Sequence, residues 1–173
     1  MSAAPDSRIA FLLAEAGIRQ LYARYADAVW RQDRSAFLDC FTDDATWKIA
    51  GQTLVGHEAI GAFFEASTAL SHKVMFWSGI PVLDVGEGTA TGRVQVTELI
   101  KRADGSALRT LAIYYERYRE EEGAWRLNWH HFNMYYLGPP DLSGSYHGCM
   151  EYGPPPGLPP DDAPTIITTR RQE

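Results

Sequence analysis

The sequence predicts an α+β fold in which helices come first along the chain and a curling antiparallel sheet follows them. Up to about residue 69, apolar residues recur at the three- and four-residue spacing of helices. From Ser71 onward the period changes to two, and glycine-containing turns separate the period-two runs. Elements in this order pack as a layer of helices on one face of the sheet.

Three helices are expected before Ser71. Ser7 is placed to cap a long helix that runs to about Gln32, and Gly17 is a point where this helix kinks or divides. A short second helix is expected over residues 35–41 and a third over residues 58–69.

A short strand is expected between these helices, and four longer strands follow them. The strands are predicted over residues 45–50, 72–83, 89–102, 107–120 and 124–137. The segment after them contains most of the prolines and is not expected to form regular structure, because proline has no backbone N–H to donate. The chain is therefore interpreted as one domain over residues 1–137 with a proline-rich tail over residues 138–173.

Charge and cysteine content restrict the classes of function. The 173-residue chain has a formal net charge of -6, which argues against nucleic acid and anionic membranes as partners. It contains no run of the roughly 18 apolar residues that a membrane span needs. Its two cysteines, Cys40 and Cys149, cannot form a disulfide framework, and the N-terminal residues do not resemble a secretory signal. The expectation is a cytoplasmic protein.

Aromatic residues are the unusual part of the composition. Five Trp, nine Tyr and seven Phe make up 12% of the chain. Such side chains usually fill a core, and they also form the walls of pockets for flat apolar ligands.

Common motifs for nucleophilic catalysis, phosphate binding, dinucleotide binding and zinc binding are absent from the sequence. The adjacent His130 and His131 lie on a predicted strand, so they point to opposite faces and cannot easily bind one metal ion. We therefore expect no cofactor and no metal.

Two polar residues interrupt rows of apolar residues that are predicted to face the sheet interior. Alternation along the last strand puts His131 at the end of an inward row that includes Trp129, where it is either a hydrogen-bonded core residue or a catalyst. Glu98 interrupts the inward row of Val96 and Ile100. Either its pKa is raised and suits proton transfer, or the strand twists there and Glu98 reaches solvent.

Asp27 lies away from the apolar stripe of the first helix. Its spacing alone predicts a solvated helix face with an i,i+4 ion pair to Arg31.

Four segments together resemble the SnoaL-like branch of the nuclear-transport-factor-2-like cone fold. The segments are IRQLYARYADAVWRQDRSAFLDCFTDDATW, GHEAIGAFF, SHKVMFWSG and DGSALRTLAIYYERYREEEGAWRL. They occur in the family's order and span about two-thirds of the chain. The resemblance implies a cone-shaped sheet that, with three N-terminal helices, encloses a deep pocket, where proton transfer needs no cofactor and usually depends on an Asp–His pair.

The resemblance also assigns the pair. The family histidine falls on His72, whereas Trp30 stands where the family usually has its aspartate. Asp27 lies one helical turn earlier, and the resemblance places that turn against the cavity, in conflict with the solvated face predicted from spacing. We follow the resemblance here and take Asp27 and His72 as the catalytic pair, with Glu98 as a second carboxylate that could hold His72.

Further residues receive roles in the same pocket. Tyr25 and Tyr114 are expected to donate hydrogen bonds to a developing oxyanion, and His131 or Arg109 to assist a leaving group. Stacking against an aromatic substrate is expected from Trp30, Trp77, Trp129 and Phe132.

These residues favour a cofactor-independent lyase that acts by acid–base catalysis on a hydrophobic, aromatic, hydroxylated small molecule. Loss of water is one form of the reaction. Retro-aldol loss of a small aldehyde, such as formaldehyde from a lignin-derived diaryl compound, is another. The alternatives are an isomerase or cyclase, a non-catalytic ligand-binding protein, or the small subunit of a ring-hydroxylating dioxygenase. A homo-oligomer is expected, with a trimer preferred over a dimer.

Overall fold

The computed structural model describes residues 5–148, 150–154 and 156–167. Its helices are α1 (Pro5–Arg31), α2 (Arg34–Leu38) and α3 (Gly56–Ala69). Its strands are β1 (Phe41–Ile49), β2 (Gln52–Val55), β3 (Ser71–Ser78), β4 (Val82–Val85), β5 (Thr89–Arg102), β6 (Ala107–Glu121) and β7 (Ala124–Gly138). The predicted α+β class, with helices on one face of a curved sheet, is confirmed. In the described part of the chain, no helix is both long and apolar enough to span a membrane.

The seven strands form one sheet. Its order is β2-β1-β7-β6-β5-β3, and β4 pairs with the free stretch of β5. Each neighbouring pair is antiparallel except β1 and β7, which run parallel. The sheet is therefore mixed rather than wholly antiparallel as predicted.

Two strand predictions need correction. The strand predicted over residues 72–83 is divided into β3 and β4, because Pro81 lies between them and cannot donate to a ladder. Strand β2 was not predicted; a tight turn with positive φ at Ala50 and Gly51 folds it back onto β1.

Strand β7 contains two residues that have no partner on β6. Arg117 pairs with Trp129 and the next residue, Tyr118, pairs with Leu127, so Asn128 is an extra residue. A second shift, between Leu111 and Ala112 on β6, leaves Tyr135 as another extra residue. Each insertion is a β-bulge. Beyond each bulge, the side chains that regular alternation would turn toward the helices face the other side of the sheet, and the reverse.

An aromatic core fills the space between the helices and the concave face of the sheet. Phe37 of α2 stacks on Phe64 of α3, with ring centroids 4.1 Å apart and planes at 17°. Tyr25 of α1 contacts Phe37 and Phe76, with ring centroids 5.0 and 5.1 Å away. The core aromatics thus connect all three helices and the sheet.

The proline-rich tail runs across the outer face of the sheet, which is the face away from the helices. The Tyr152 ring meets Tyr115 edge-on at 4.4 Å, and the Asp161 carboxylate lies 2.5 Å from the Arg117 guanidinium. Lys48 donates a hydrogen bond to the Asp161 carbonyl. Residues 149, 155 and 168–173 of the predicted tail lie outside the described residues.

Helix α1 continues undivided through Gly17, so the predicted division into two helices is wrong. Packing explains the glycine. A Cβ at residue 17 would lie 2.4 Å from Cδ1 of the buried Trp125 indole.

We therefore expect Gly17→Ala to lower the free energy of unfolding by about 1–3 kcal/mol, because overpacking against Trp125 outweighs the gain in helix propensity. Urea unfolding measures the difference, and Ala16→Ser at the neighbouring exposed position is the control. Stabilisation by Gly17→Ala would show that Trp125 moves away at little cost.

Candidate functional site

A cavity of about 240 Å³ opens between the helices and the concave face of the sheet. Its wall is mostly aromatic and aliphatic. The rings come from Tyr25, Phe37, Trp47, Phe63, Phe64, Tyr114 and Phe132. Apolar walls exclude water and strengthen each electrostatic contact inside.

The tail contributes to the cavity wall as well. Ile166 lines the cavity, and the neighbouring Thr165 hydroxyl accepts a hydrogen bond of 2.6 Å from the Gly51 backbone N–H. The tail therefore reaches the cavity beside the β1–β2 turn.

Among the described residues, Glu98 supplies the one carboxylate that lines this cavity. It lies on β5 opposite Thr110 of β6, and both residues belong to the lining. Burial raises the pKa of Glu98 to about 7, although a hydrogen bond from Thr110 has the opposite, smaller effect. At neutral pH this carboxyl group is thus poised between its neutral and charged forms, as proton transfer requires.

Two tyrosine hydroxyls accompany Glu98. The Tyr25 and Tyr114 hydroxyl oxygens lie 3.5 Å apart, and both side chains are buried. Burial holds the pKa of each hydroxyl well above its usual value, and the Glu98 charge adds to both shifts. Both hydroxyls therefore stay protonated and can donate hydrogen bonds to a ligand.

A second polar cluster, the Glu116–His130 network, lies behind the cavity wall. Nδ1 of His130 is 2.7 Å from Oε1 of Glu116, and both side chains are almost completely buried. The hydroxyls of Tyr22 and Tyr118 donate to Oε2 of the same carboxylate. Neither Glu116 nor His130 was a predicted site residue.

The alternation along β6 could have identified Glu116 from the sequence. Ala112, Tyr114, Glu116 and Tyr118 follow each other at period two, so an inward Tyr114 implies an inward Glu116. No comparable signal marks His130, because the bulge at Asn128 brings it inward.

His131 faces the tail instead of the cavity, so its predicted inward position was wrong. The extra residue Asn128 turns Trp129 and His131 to the outer face, where their rings stack at 5.5 Å. His131 is fully buried there, and burial, with a further contribution from the Lys48 charge, lowers its pKa to about 4.

The structure does not bring Asp27 and His72 to the cavity. The side chain of Asp27 is 61% exposed and forms the i,i+4 ion pair with Arg31 at 2.9 Å that the helical spacing predicts. His72 is exposed as well. Neither residue is part of the lining, so the placement carried over from the resemblance is corrected.

Four more predicted site residues lie away from the cavity. Trp30 is 48% exposed, with the Lys73 ammonium 4.0 Å from its ring, and Trp77 is 49% exposed. Trp129 packs under Arg117 on the outer face. Arg109 is half-buried and its Nε donates to the Thr97 hydroxyl at 3.4 Å. Of the predicted residues, the cavity brings together Tyr25, Glu98, Tyr114 and Phe132.

Within the described ranges, no group of three His, Cys, Asp or Glu side chains is arranged to hold a metal ion.

Comparison with known families gives the same fold. The SnoaL-like domain family matches residues 10–129, which is more than half of the chain. The chain belongs to this family. No curated protein matches the sequence.

Several solved structures are similar to this SnoaL-like chain. A hexachlorocyclohexane dehydrochlorinase, LinA type 3 from Novosphingobium barchaimii, has a TM-score of 0.69 at 20% identity, covering 83% of this chain and 99% of the other. A proposed scytalone dehydratase from Novosphingobium aromaticivorans has a TM-score of 0.73 at 13% identity, covering 94% and 99%. A proposed aromatic ring hydroxylase from the same organism has a TM-score of 0.67 at 28% identity, covering 75% and 96%.

The raised pKa of Glu98 predicts a characteristic pH dependence of stability. Between about pH 4.5 and pH 7, the folded protein holds a proton on Glu98 that the unfolded chain has lost, so the Glu98 contribution to stability falls as pH rises through this window. The free energy of unfolding of Glu98→Gln, minus that of wild type, should be about 2–3 kcal/mol larger at pH 8 than at pH 4. Urea unfolding at both values measures this, with Glu87→Gln at an exposed turn as control. An equal effect at both pH values contradicts the shift.

The lowered pKa of His131 predicts the opposite slope. As pH falls from about 6.5 to about 4, the unfolded chain binds a proton that folded His131 does not, so the His131 contribution to stability falls. His131→Phe should reduce the loss of stability between pH 7 and pH 4 by about 2–3 kcal/mol. Urea unfolding of this variant and of His72→Gln, an exposed histidine, tests the prediction. An unchanged acid dependence in His131→Phe would exclude His131 as its source.

Proposed function

We propose that this SnoaL-like protein is a cofactor-independent lyase that acts on a hydrophobic, aromatic, hydroxylated small molecule, with Glu98 as the residue that transfers the proton. One observation carries the proposal: Glu98, whose carboxyl pKa is raised by burial to about 7, lines an aromatic cavity together with Tyr25 and Tyr114, whose hydroxyl oxygens lie 3.5 Å apart. A general acid–base group works best when its pKa is near the operating pH.

Dehydration of a β-hydroxy ketone shows how these groups would act. The Glu98 carboxylate removes a proton from the carbon beside the carbonyl group, and the electron pair moves onto the carbonyl oxygen. Tyr25 and Tyr114 donate hydrogen bonds to that oxyanion. Protonated Glu98 then gives its proton to the departing hydroxyl group. Water leaves, a carbon–carbon double bond forms, and Glu98 returns to its carboxylate form.

Retro-aldol cleavage uses the same groups in another order. The Glu98 carboxylate takes the hydroxyl proton of the substrate, the carbon–carbon bond breaks, and a small aldehyde leaves. The electron pair of the broken bond passes into a stabilised carbanion, which the Glu98 carboxylic acid protonates. In both reactions one carboxyl group takes up the proton and then returns it, which fits the single carboxylate found among the described lining residues.

The cavity supports a small aromatic substrate. A volume of about 240 Å³ lies below the roughly 300–1,000 Å³ of common ligand pockets, which favours a compact ligand. Its rings offer stacking surfaces, and Phe132 and Trp47 are placed for this contact. Two of the similar structures carry the names of a dehydrochlorinase and a dehydratase, and both names denote loss of a small molecule from an organic compound.

This proposal moves the acid–base role away from Asp27 and His72. Both side chains are exposed, where water screens their charges and no cavity presents a substrate to them. Glu98 replaces the pair because it is half-buried and lines the cavity.

An isomerase is the second candidate. An isomerase of this kind needs one carboxyl group that moves a proton between two carbon atoms of the same ligand. Glu98 lines the cavity and has the raised pKa that suits this role. The mass of the product separates the candidates, since isomerisation leaves it unchanged and lyase action lowers it.

Turnover of a panel of β-hydroxy aryl ketones, followed by mass spectrometry, tests the assignment. We expect Glu98→Gln to lower kcat/KM by about 10²–10⁴-fold, as loss of a general acid–base group does. The matched controls Asp27→Asn and His72→Gln should change it less than threefold. Wild-type kcat/KM should also change with an apparent pKa near 7.

The opposite pattern would overturn the assignment. Full activity in Glu98→Gln, together with loss of activity in Asp27→Asn or His72→Gln, would return the chemistry to the Asp–His pair. Absence of turnover for the whole panel, with tight binding of the same compounds, would favour the non-catalytic ligand-binding alternative.

We also propose a homotrimer. The outer sheet face is covered by the tail near β7, whereas Trp77 on β3 remains 49% exposed. Burial of such an aromatic side chain is favourable for association. Light scattering coupled to size-exclusion chromatography measures the mass, and a monomer or a dimer at micromolar concentration would contradict the homotrimer.

A further inference from the structure

The Glu116–His130 network lies directly beneath the tyrosines of the proposed site. The His130 ring stacks on Tyr114 with centroids 4.0 Å apart and planes at 30°. The same ring contacts Tyr25 at 5.9 Å. His130 itself is not part of the cavity lining, so a ligand in the cavity touches the two tyrosines but not the histidine.

Glu116 fixes the orientation of the His130 ring. Nδ1 lies 2.7 Å from Oε1, so this edge of the ring is held toward the carboxylate. The other carboxylate oxygen accepts hydrogen bonds from Tyr22 and Tyr118, so the carboxylate is itself held from two sides. The chain of contacts therefore runs from α1 and β6, through Glu116 and His130, to the Tyr114 ring.

Packing alone does not explain this arrangement. A buried carboxylate–imidazole pair costs desolvation, and an apolar pair of similar volume is often as stable or more stable. The ring also sits among Tyr25, Phe41, Trp47 and Tyr114, where an apolar side chain would pack well. Two tyrosine hydroxyls on Oε2 and the imidazole beside Oε1 instead hold the carboxylate and the ring in one geometry.

We infer that His130, oriented by Glu116, is a positioning residue that holds the Tyr25–Tyr114 hydroxyl pair in place for the ligand. The inference rests on the proposed function, because it assigns His130 a role in the use of those hydroxyls. The ring surface of His130 determines the tilt of Tyr114, and the tilt determines where its hydroxyl lies relative to Tyr25 and Glu98.

Two double variants separate this role from a structural one. Glu116→Gln with His130→Leu removes the ring, and Glu116→Gln with His130→Phe keeps a ring that can stack on Tyr114. Both lack the buried pair of ionisable groups, and the glutamine carbonyl oxygen can still accept hydrogen bonds from Tyr22 and Tyr118. Neither variant therefore leaves an unpaired charge in the core.

Binding of 2-naphthol, followed by its fluorescence, is the readout. We expect the leucine double variant to bind at least tenfold more weakly than wild type, and the phenylalanine double variant, which keeps a ring but loses the Glu116 contact, to bind at least threefold more tightly than the leucine double variant. Both should show similar free energies of unfolding in urea. A difference in affinity at equal stability is not expected from a structural role, since the ligand does not touch position 130.

Two further variants, Tyr114→Phe and His130→Gln, make each outcome decisive. Tyr114→Phe should weaken 2-naphthol binding, since it removes one of the two hydroxyl donors. Equal affinity in the two double variants, with weaker binding in Tyr114→Phe, overturns the role of His130 and leaves the proposed function intact. Unchanged binding in Tyr114→Phe overturns the inference together with the use of the tyrosine hydroxyls. If the leucine double variant does not fold, His130→Gln takes its place, because glutamine also lacks the ring. Wild-type affinity in His130→Gln would then overturn the role of His130.

Discussion

The pairing of β6 with β7 is the constraint on which the rest of the site depends. Strand β7 is 15 residues long, and two of its residues, Asn128 and Tyr135, have no partner on β6. A β-bulge increases the local bend of its strand, as a sheet that curls around a cavity requires. Each insertion also exchanges the two faces of the strand. As a result His130 and Phe132 point toward the helices, and Trp129 and His131 point toward the tail.

Two inward carboxylates then occupy different environments on neighbouring strands. Glu116 accepts hydrogen bonds from two tyrosine hydroxyls at Oε2, and its Oε1 lies 2.7 Å from Nδ1 of the His130 imidazole. Glu98 has Thr110 as its partner and borders an apolar cavity, so burial dominates and raises its pKa to about 7. The two carboxylates therefore differ in their surroundings, since polar side chains surround Glu116 whereas Glu98 borders the apolar cavity.

Sequence reasoning reached the features that depend on local periodicity. The three helices, the long strands after them, the inward row that contains Glu98, and the solvated position of Asp27 all follow from spacing along one element. The faces of Trp129 and His131 did not, because a bulge is set by pairing between strands and leaves no mark on the alternation of a single strand. The placement of Asp27 and His72 carried over from the family resemblance also failed. A shared cone fold preserves the cavity without preserving the position of each functional group.

The most direct test of the central claim is a titration of the Glu98 carboxyl carbon by ¹³C NMR, with its signal assigned by comparison with Glu98→Gln. We expect a midpoint near pH 7, because burial in the aromatic cavity disfavours the charged form. A midpoint near pH 4.5 would mean that water reaches this carboxylate. Glu98 would then lack the property that makes it the proton-transferring residue, and the acid–base centre would have to be sought elsewhere in the molecule.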